Sequence, residues 1–146
     1  MVDLSYFAGF FDGEGCITTC RNHPDRKRWS YSLRVTTTNT NKEVIDLFQA
    51  RWPGSVSIKP EKPGFKKTYT WMLSGFKGKE FLKEMLPYLI VKKREALLAL
   101  DFPVREKPEG NKALSQAVYD KQEQICEQLW AIKGFAQRNA AWRQVL

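Results

Sequence analysis

Tyr6-Phe7-Ala8-Gly9-Phe10-Phe11-Asp12-Gly13-Glu14-Gly15 sets aromatic bulk beside small residues and closes on two carboxylates. A glycine inside a helix costs about 1 kcal/mol against alanine, so Gly9 and Gly13 need a compensating use. Their spacing of four puts them on one helical face. A face without side chains lets a second backbone approach closely. Glu14 falls at the helix exit, where the peptide dipole is negative and a carboxylate is poorly placed unless a positive group joins it. A divalent cation would supply that charge. The plainer alternative is a short core helix followed by an ordinary solvent-facing glutamate.

The composition bounds what surrounds this stretch. The length of 146 residues suits one domain with a real core, and a hydrophobic share of 42% argues against a disordered or fibrous chain. A formal net charge of +8 and a pI near 9.5 point to a polyanion, with DNA, RNA and an acidic membrane surface all compatible. Cys16, Cys20 and Cys126 are odd in number and poorly spaced for a disulfide framework. With His23 as the one histidine, a structural zinc site is not expected. The thiols read as reduced, in an intracellular protein whose compartment is open. The N-terminal apolar run contains Asp12 and Glu14, so neither a signal peptide nor a membrane span is expected.

Beyond the first helix, which Asp3 or Ser5 can cap, Cys16 to Asn22 reads as a strand with Ile17 on one face and Cys16, Thr18, Cys20 and Asn22 on the other. A turn carrying Arg26, Lys27 and Arg28 leads to the cleanest strand in the chain. There Trp29, Tyr31, Leu33 and Val35 alternate with Arg28, Ser30, Ser32 and Arg34. The run Thr36 to Asn41 closes that strand and caps a helix from about Lys42 to Trp52. Pro53-Gly54 breaks it, and a third strand follows in which Val56 and Ile58 face the core while Ser55, Ser57 and Lys59 face away. After a proline-rich turn the fourth strand, Lys66 to Ser74, directs Tyr69, Trp71 and Leu73 inward and Thr68, Thr70 and Met72 outward. The two hairpins make one antiparallel sheet. Helices are predicted over Phe76 to Tyr88, from Lys92-Lys93-Arg94 to before Pro103, over a long segment marked by Leu114, Val118, Ile125, Leu129 and Ile132, and beyond Gly134 to near Leu146.

Phe7-Ala8-Gly9-Phe10-Phe11-Asp12-Gly13-Glu14-Gly15 resembles the LAGLIDADG motif of homing endonucleases, matching its Ala-Gly, its Asp and its closing acid-Gly. The resemblance implies an α+β fold of order αββαββα, with a curved four-stranded antiparallel sheet that lies in the DNA major groove, followed here by extra C-terminal helices. The chain is then one domain, 1–146, with its core in 1–102 and a helical region over 103–146. Major-groove base edges present distinguishable donors and acceptors to a β-ribbon. The outward residues suit that role. Arg28, Arg34, Lys59, Lys66 and Lys93 can address guanine edges or phosphates; Thr18, Cys20, Asn22, Ser30, Ser32, Ser57, Thr68 and Thr70 offer adaptable polar contacts; Met72 can touch a thymine methyl.

The resemblance further implies that Glu14, with the Gly13 carbonyl, binds the catalytic metal. Mg²⁺ is the expected ion, with Mn²⁺ or Ca²⁺ as other occupants. One carboxylate is a thin ligand set for such a cation, and one motif per chain implies a homodimer seamed along Ala8, Gly9, Asp12 and Gly13. Lys92 stands where the family places a catalytic lysine after the third helix. Thr37, within Val35-Thr36-Thr37-Thr38, stands where a glutamine usually organises solvent, with Asn39 and Asn41 as the next polar candidates. The implied activity is Mg²⁺-dependent double-strand hydrolysis of a long, nearly palindromic DNA site, leaving short 3′ overhangs. The partners are double-stranded DNA and a second copy, with no membrane and no small-molecule substrate. A non-cleaving DNA-binding protein of this fold and an RNA maturase are the alternatives.

Overall fold

Asp3 opens the first helix in a computed structural model that describes residues 2–22, 30–104 and 114–134. Its carboxylate accepts the Tyr6 N–H at 3.1 Å, filling one of the orphan donors that every helix start leaves. The helix, α1 (Leu4–Glu14), buries Phe7, Ala8 and Phe11 and leaves Gly9, Gly13 and Glu14 exposed. Four strands follow: β1 (Gly15–Asn22), β2 (Ser30–Asn39), β3 (Ser55–Lys59) and β4 (Thr68–Ser74). They form one antiparallel sheet in the order β1-β2-β4-β3, so β2 and β4 are central. Helix α2 (Lys42–Arg51) joins the hairpins, and α3 (Gly75–Met85) follows the second one. The order through α3 is the αββαββα expected from the sequence.

One face of the sheet carries the core. Ile17 and Thr19 of β1, Tyr31, Leu33, Val35 and Thr37 of β2, and Trp71 and Leu73 of β4 are all buried there, every second residue as the strand period requires. The helices close over it with aromatic edges. Phe48 meets Phe7 and Trp71 at ring-centroid distances of 5.0 Å, and Phe81 meets Trp52 at 4.8 Å and Trp71 at 5.1 Å. Such edge and tilted contacts suit the ring quadrupole better than direct stacking. The turn from α2 into β3 is held by Gln49, whose amide donates to the Gly54 carbonyl and accepts its N–H, both at 3.0 Å. A Cβ on Gly54 would stand 2.2 Å from the Met72 carbonyl oxygen, so that turn needs glycine for close approach.

Several expectations are corrected. Strand β2 extends through Asn39, most of the way along the Thr36 to Asn41 run expected to close it, because its β-branched threonines pair with Met72, Trp71 and Thr70 of β4. Strand β4 begins at Thr68 rather than Lys66, after a turn over Lys62 to Phe65 closed by two backbone hydrogen bonds around Gly64 at φ 82°. Val56 and Ile58 were expected in the core but are 41% and 54% exposed, since edge strand β3 lies outside the helical cover. The third helix ends at Met85, and a 3-10 turn containing Pro87 covers Leu86–Tyr88. Helix α4 (Lys93–Asp101) buries Ala96 and Ala99 and leaves Leu97 half in water.

Helix α5 (Gln116–Ile132) packs Ile125, Cys126 and Leu129 into the core beside β1 and β2. Burial pushes the Cys126 thiol up to about 11, which keeps it protonated and inert. Arg28, Trp29 and the short helix expected after Gly134 lie outside the described residues. Among the described residues no helix is long and apolar enough to cross a membrane.

Candidate nucleic-acid interface and cleavage site

The sheet face away from the helices follows from the same alternation. It presents Thr18 and Cys20 of β1, Ser30, Ser32, Arg34, Thr36 and Thr38 of β2, Ser55, Ser57 and Lys59 of β3, and Thr68, Thr70 and Met72 of β4. Its charged members are Arg34 and Lys59, and among the described residues no Asp or Glu stands on it. Surfaces without such a demand usually mix signs. Thr38 and Thr70, paired across the central strands, share a hydroxyl hydrogen bond at 2.8 Å. Ser32 is half-buried with an enclosed hydroxyl, so it has less reach than its neighbours. Asn22 pairs with Ser30 through the backbone register, and its side chain, like Arg28, lies outside the described residues. Lys66 stands exposed in the β3–β4 turn, and Lys93 is exposed at the first position of α4. Thr36 and Thr38 were not singled out by the sequence, although the parity of β2 already placed them outward.

Glu14 is the last residue of α1, exposed, and among the described residues no side chain pairs with it. Gly15, its neighbour, has extended backbone, so its glycine is not there for a special φ. A Cβ would instead stand 2.1 Å from Cδ2 of the Phe11 ring and 2.6 Å from the Phe11 carbonyl oxygen. That oxygen accepts the Gly15 N–H and ends the helix. The closing glycine of the motif thus lets the chain turn directly from α1 into β1, putting Glu14 at the border of the sheet.

Asp12 makes the contact that the sequence could not show. Its Oδ2 accepts the backbone N–H groups of Ile90 (3.1 Å) and Val91 (2.9 Å), and its Oδ1 accepts that of Lys92 (2.8 Å). The Lys92 side chain makes no capping hydrogen bond to α4, so Asp12 supplies the negative charge that this helix start favours. The Lys92 Nζ in turn donates to the Asp12 carbonyl at 2.7 Å. An ammonium therefore sits at the negative end of α1, one turn of chain from Glu14. The cations at the start of α4, which oppose its dipole, are offset by this carboxylate.

Partial burial raises the Asp12 pKa, but the N–H groups of Val91, Lys92 and Ile90 and the Lys92 charge lower it further, leaving it below its ordinary 3.8. The folded protein then binds fewer protons here than the unfolded chain. The stability contributed by Asp12 is fully present above pH 3.8 and is lost as pH falls through the folded value. Asp12→Asn is expected to flatten the dependence of stability on pH in that acid range, measured by denaturant unfolding at successive pH values. Equal slopes in both proteins would remove the clamp from the energetics.

Two expected site residues are placed elsewhere. Thr37 is fully buried on the helix-covered face, between Gly15 and Trp71 in register, and its hydroxyl has no hydrogen-bond partner among the described residues. It cannot organise solvent at Glu14, because its parity in β2 is that of Leu33 and Val35. Ala8 is likewise fully buried with Phe7 and Phe11, so it cannot line a seam to another molecule. Gly9 and Gly13 are exposed, with nothing within 4 Å of where a Cβ would stand. Asp12, also expected in that seam, spends its carboxylate within its own chain. The sequence missed Lys133, which reaches from the end of α5 to the Ile17 carbonyl and to Cys16 Sγ at 3.3 Å, closing an unpaired position on edge strand β1.

Among the described residues no three His, Cys, Asp or Glu side chains gather into a metal-holding group. What one copy offers is the Glu14 carboxylate and the carbonyl of its neighbour Gly13, oxygen donors on two exposed residues. That set fits a hard cation which keeps several waters and takes its other ligands from a substrate phosphate and a further carboxylate.

Compared by sequence, the chain matches no protein-family model and no curated protein. Compared by structure, it is similar to the homing endonuclease I-CvuI, crystallised with its DNA target and calcium, at a TM-score of 0.66 and 18% identity over 86% of this chain and 78% of that one. It is similar to the archaeal intron-encoded homing endonuclease I-Vdi141I in complex with DNA, at 0.65 and 20% identity, covering 86% and 80% of the two chains. A third, the LAGLIDADG homing endonuclease I-GzeII with its DNA target, superposes at 0.63 and 15% identity over 88% of this chain but 44% of that one. At these identities the likeness establishes the fold.

Proposed function

We propose that this chain, which has the LAGLIDADG homing endonuclease fold, is a metal-dependent, site-specific endonuclease of double-stranded DNA that acts as a pair of identical copies. One observation carries the reading. Among the described residues Glu14, exposed, has no pairing side chain and stands where α1 meets a sheet face free of acidic groups, and the Lys92 ammonium is held at the same helix end. A non-cleaving DNA-binding surface would have no use for a lone carboxylate beside phosphates.

The outward sheet would lie in the major groove, with Arg34 and Lys59 on phosphates or guanine edges and the threonines and serines reading neighbouring bases. Glu14 and the Gly13 carbonyl would hold a divalent cation, Mg²⁺ by its preference for oxygen and water ligands. Such a cation would supply polarisation of a scissile phosphate and a lowered pKa for a water beside it. Lys92 would stabilise negative charge as it develops during hydrolysis, its ammonium being held at the Asp12 carbonyl. Two strands must be cut, and each copy offers one Glu14. A two-fold pair along the Gly9 and Gly13 face would set two carboxylates beside adjacent scissile phosphates of a nearly palindromic site, leaving short 3′ overhangs. The coverage of the similar structures supports this, since I-GzeII is long enough for two units of this size in one chain.

A randomised supercoiled plasmid library incubated with the protein and Mg²⁺ tests the proposal. Discrete linear products with 3′ overhangs at one recovered sequence are expected, and binding to that site should weaken steeply with salt as phosphate counterions are released. A protein that binds a defined duplex without cutting it in Mg²⁺ or Mn²⁺ would leave only sequence-specific DNA binding. Preference for intron RNA over every duplex would support RNA recognition instead.

A further inference from the structure

Thr36 faces Met72 across the two central strands, with Arg34 one outward position along β2 on one side and the Thr38–Thr70 pair on the other. The three positions offer a base different chemistry. Arg34 brings a charge. Thr38 and Thr70 share a hydroxyl hydrogen bond at 2.8 Å, which leaves one proton between them to donate. Thr36 and Met72 bring a methyl group and a thioether, uncharged and half-buried, and Cys16, the β1 partner of Thr36, adds a thiol that hydrogen-bonds weakly. The ammonium that reaches Cys16, from Lys133, also donates to the Ile17 carbonyl at the sheet edge, so its charge is already engaged. The middle of the outer face is therefore apolar. It also lies at the Glu14 end of β1, since Gly15, the residue after Glu14, is in register with Thr37, next to Thr36. Along β1 away from Glu14, the Thr36 position comes first and the Arg34 position second.

We propose that Thr36 and Met72 seat the C5-methyl group of a thymine, about two base pairs closer to the cut than the pair that Arg34 addresses, an inference that rests on reading the outer sheet as a major-groove surface and adds which base one position selects. Outward positions on a strand stand roughly 6.8 Å apart and base pairs rise about 3.4 Å each, so one outward position corresponds to about two base pairs. Of the four DNA bases thymine alone shows a methyl group in the major groove, and threonine methyls pack against it. Seating it between a methyl and a thioether removes apolar surface from water on both sides. Cytosine would aim its amino donor at a face which, among the described residues, has no carboxylate to accept it.

Duplexes are selected from a randomised pool by binding alone, without divalent cation, and each thymine of the selected site is then replaced by uracil. That exchange removes the methyl and leaves the pairing edge unchanged. Mobility shifts with the native chain should show, in each half-site, one thymine whose replacement weakens binding about fourfold, and about fifteenfold when both halves are changed, the scale of one buried methyl per copy. The Thr36→Ser/Met72→Ala chain, whose fold circular dichroism can verify, should bind the thymine and uracil duplexes within about twofold of each other, because the partner of the methyl is gone. Selection repeated with Arg34→Ala should relax a base pair about two steps farther from the centre of the site. A scan in which no uracil weakens binding would overturn the proposal, as would a loss of the same size in the double variant, which would come from DNA shape and not from contact. Relaxation by Arg34→Ala on the central side of the thymine would overturn it too, and so would selection of RNA over every duplex, since uracil lacks the methyl. A chain that discriminates the methyl yet cuts no DNA in Mg²⁺ would sink the nuclease reading and leave the thymine seat standing; one that cuts but ignores the methyl would do the reverse.

Discussion

Glu14→Gln is expected to bind the selected duplex at least as tightly as the native chain and to cut it more slowly by on the order of a thousandfold, the scale of losing one preorganised electrostatic contact at a reacting phosphate. Glutamine keeps the shape and hydrogen-bonding reach of glutamate and removes its charge. Because Glu14 is exposed and unpaired among the described residues, the change should move stability by no more than about 0.5 kcal/mol. Binding gains slightly, since a carboxylate facing phosphates repels them when no cation intervenes. The contrast with Lys92→Met is informative. Lys92 Nζ holds the Asp12 carbonyl, so its loss should slow cutting and also loosen the end of α1. Electrophoretic mobility shift and plasmid linearisation on the same preparations separate the two quantities. Undiminished cutting by Glu14→Gln would remove this carboxylate from the chemistry.

What the sequence could show follows from the range of the interactions involved. The helix of the motif, the alternation of Tyr31, Leu33 and Val35, and the cap at Asn41 are local and were legible. The parity that placed Arg34 outward also places Thr37 inward, whereas the resemblance assigned Thr37 by its position near the end of the second strand and took no account of the face it occupies. Val56 and Ile58 obey the strand period correctly yet lie half in water, because the period says which face a residue takes and not whether that face is covered. Coverage depends on the order β1-β2-β4-β3, which leaves β3 at an edge. The Asp12 clamp spans some 80 residues of chain, and no local pattern distinguishes an acid that caps its own helix from one that caps another. Ala8 shows the limit of the seam argument. Helical spacing assigns it to the face of Phe11, whereas Gly9 and Gly13 share another.

Trp71→Ala is expected to cost about 3–5 kcal/mol, the range for deleting a large buried aromatic side chain. Trp71 is the largest fully buried side chain, on a central strand, with ring centroids 5.0 Å from Phe48 and 5.1 Å from Phe81. Its Nε1 donates to the Trp52 carbonyl at 2.9 Å, so truncation leaves a cavity and also an unpaired carbonyl at the end of α2. Against a total stability of about 5–15 kcal/mol, that is a large share of what holds the domain. A fall in Tm of roughly 10–20 °C should follow, read by circular dichroism. The effect reaches Glu14 through contacts already described: Trp52 and Phe48 both pack on Phe7 at 5.0 Å, and Phe7 belongs to the helix that ends at Glu14. Trp71→Phe keeps most of the ring and loses the N–H, so it should cost about 1–2 kcal/mol and spare DNA binding at 25 °C. If Trp71→Ala lowered Tm by less than about 3 °C, the centre of the core would have to lie elsewhere, and α1 would need another support for the position of its final carboxylate.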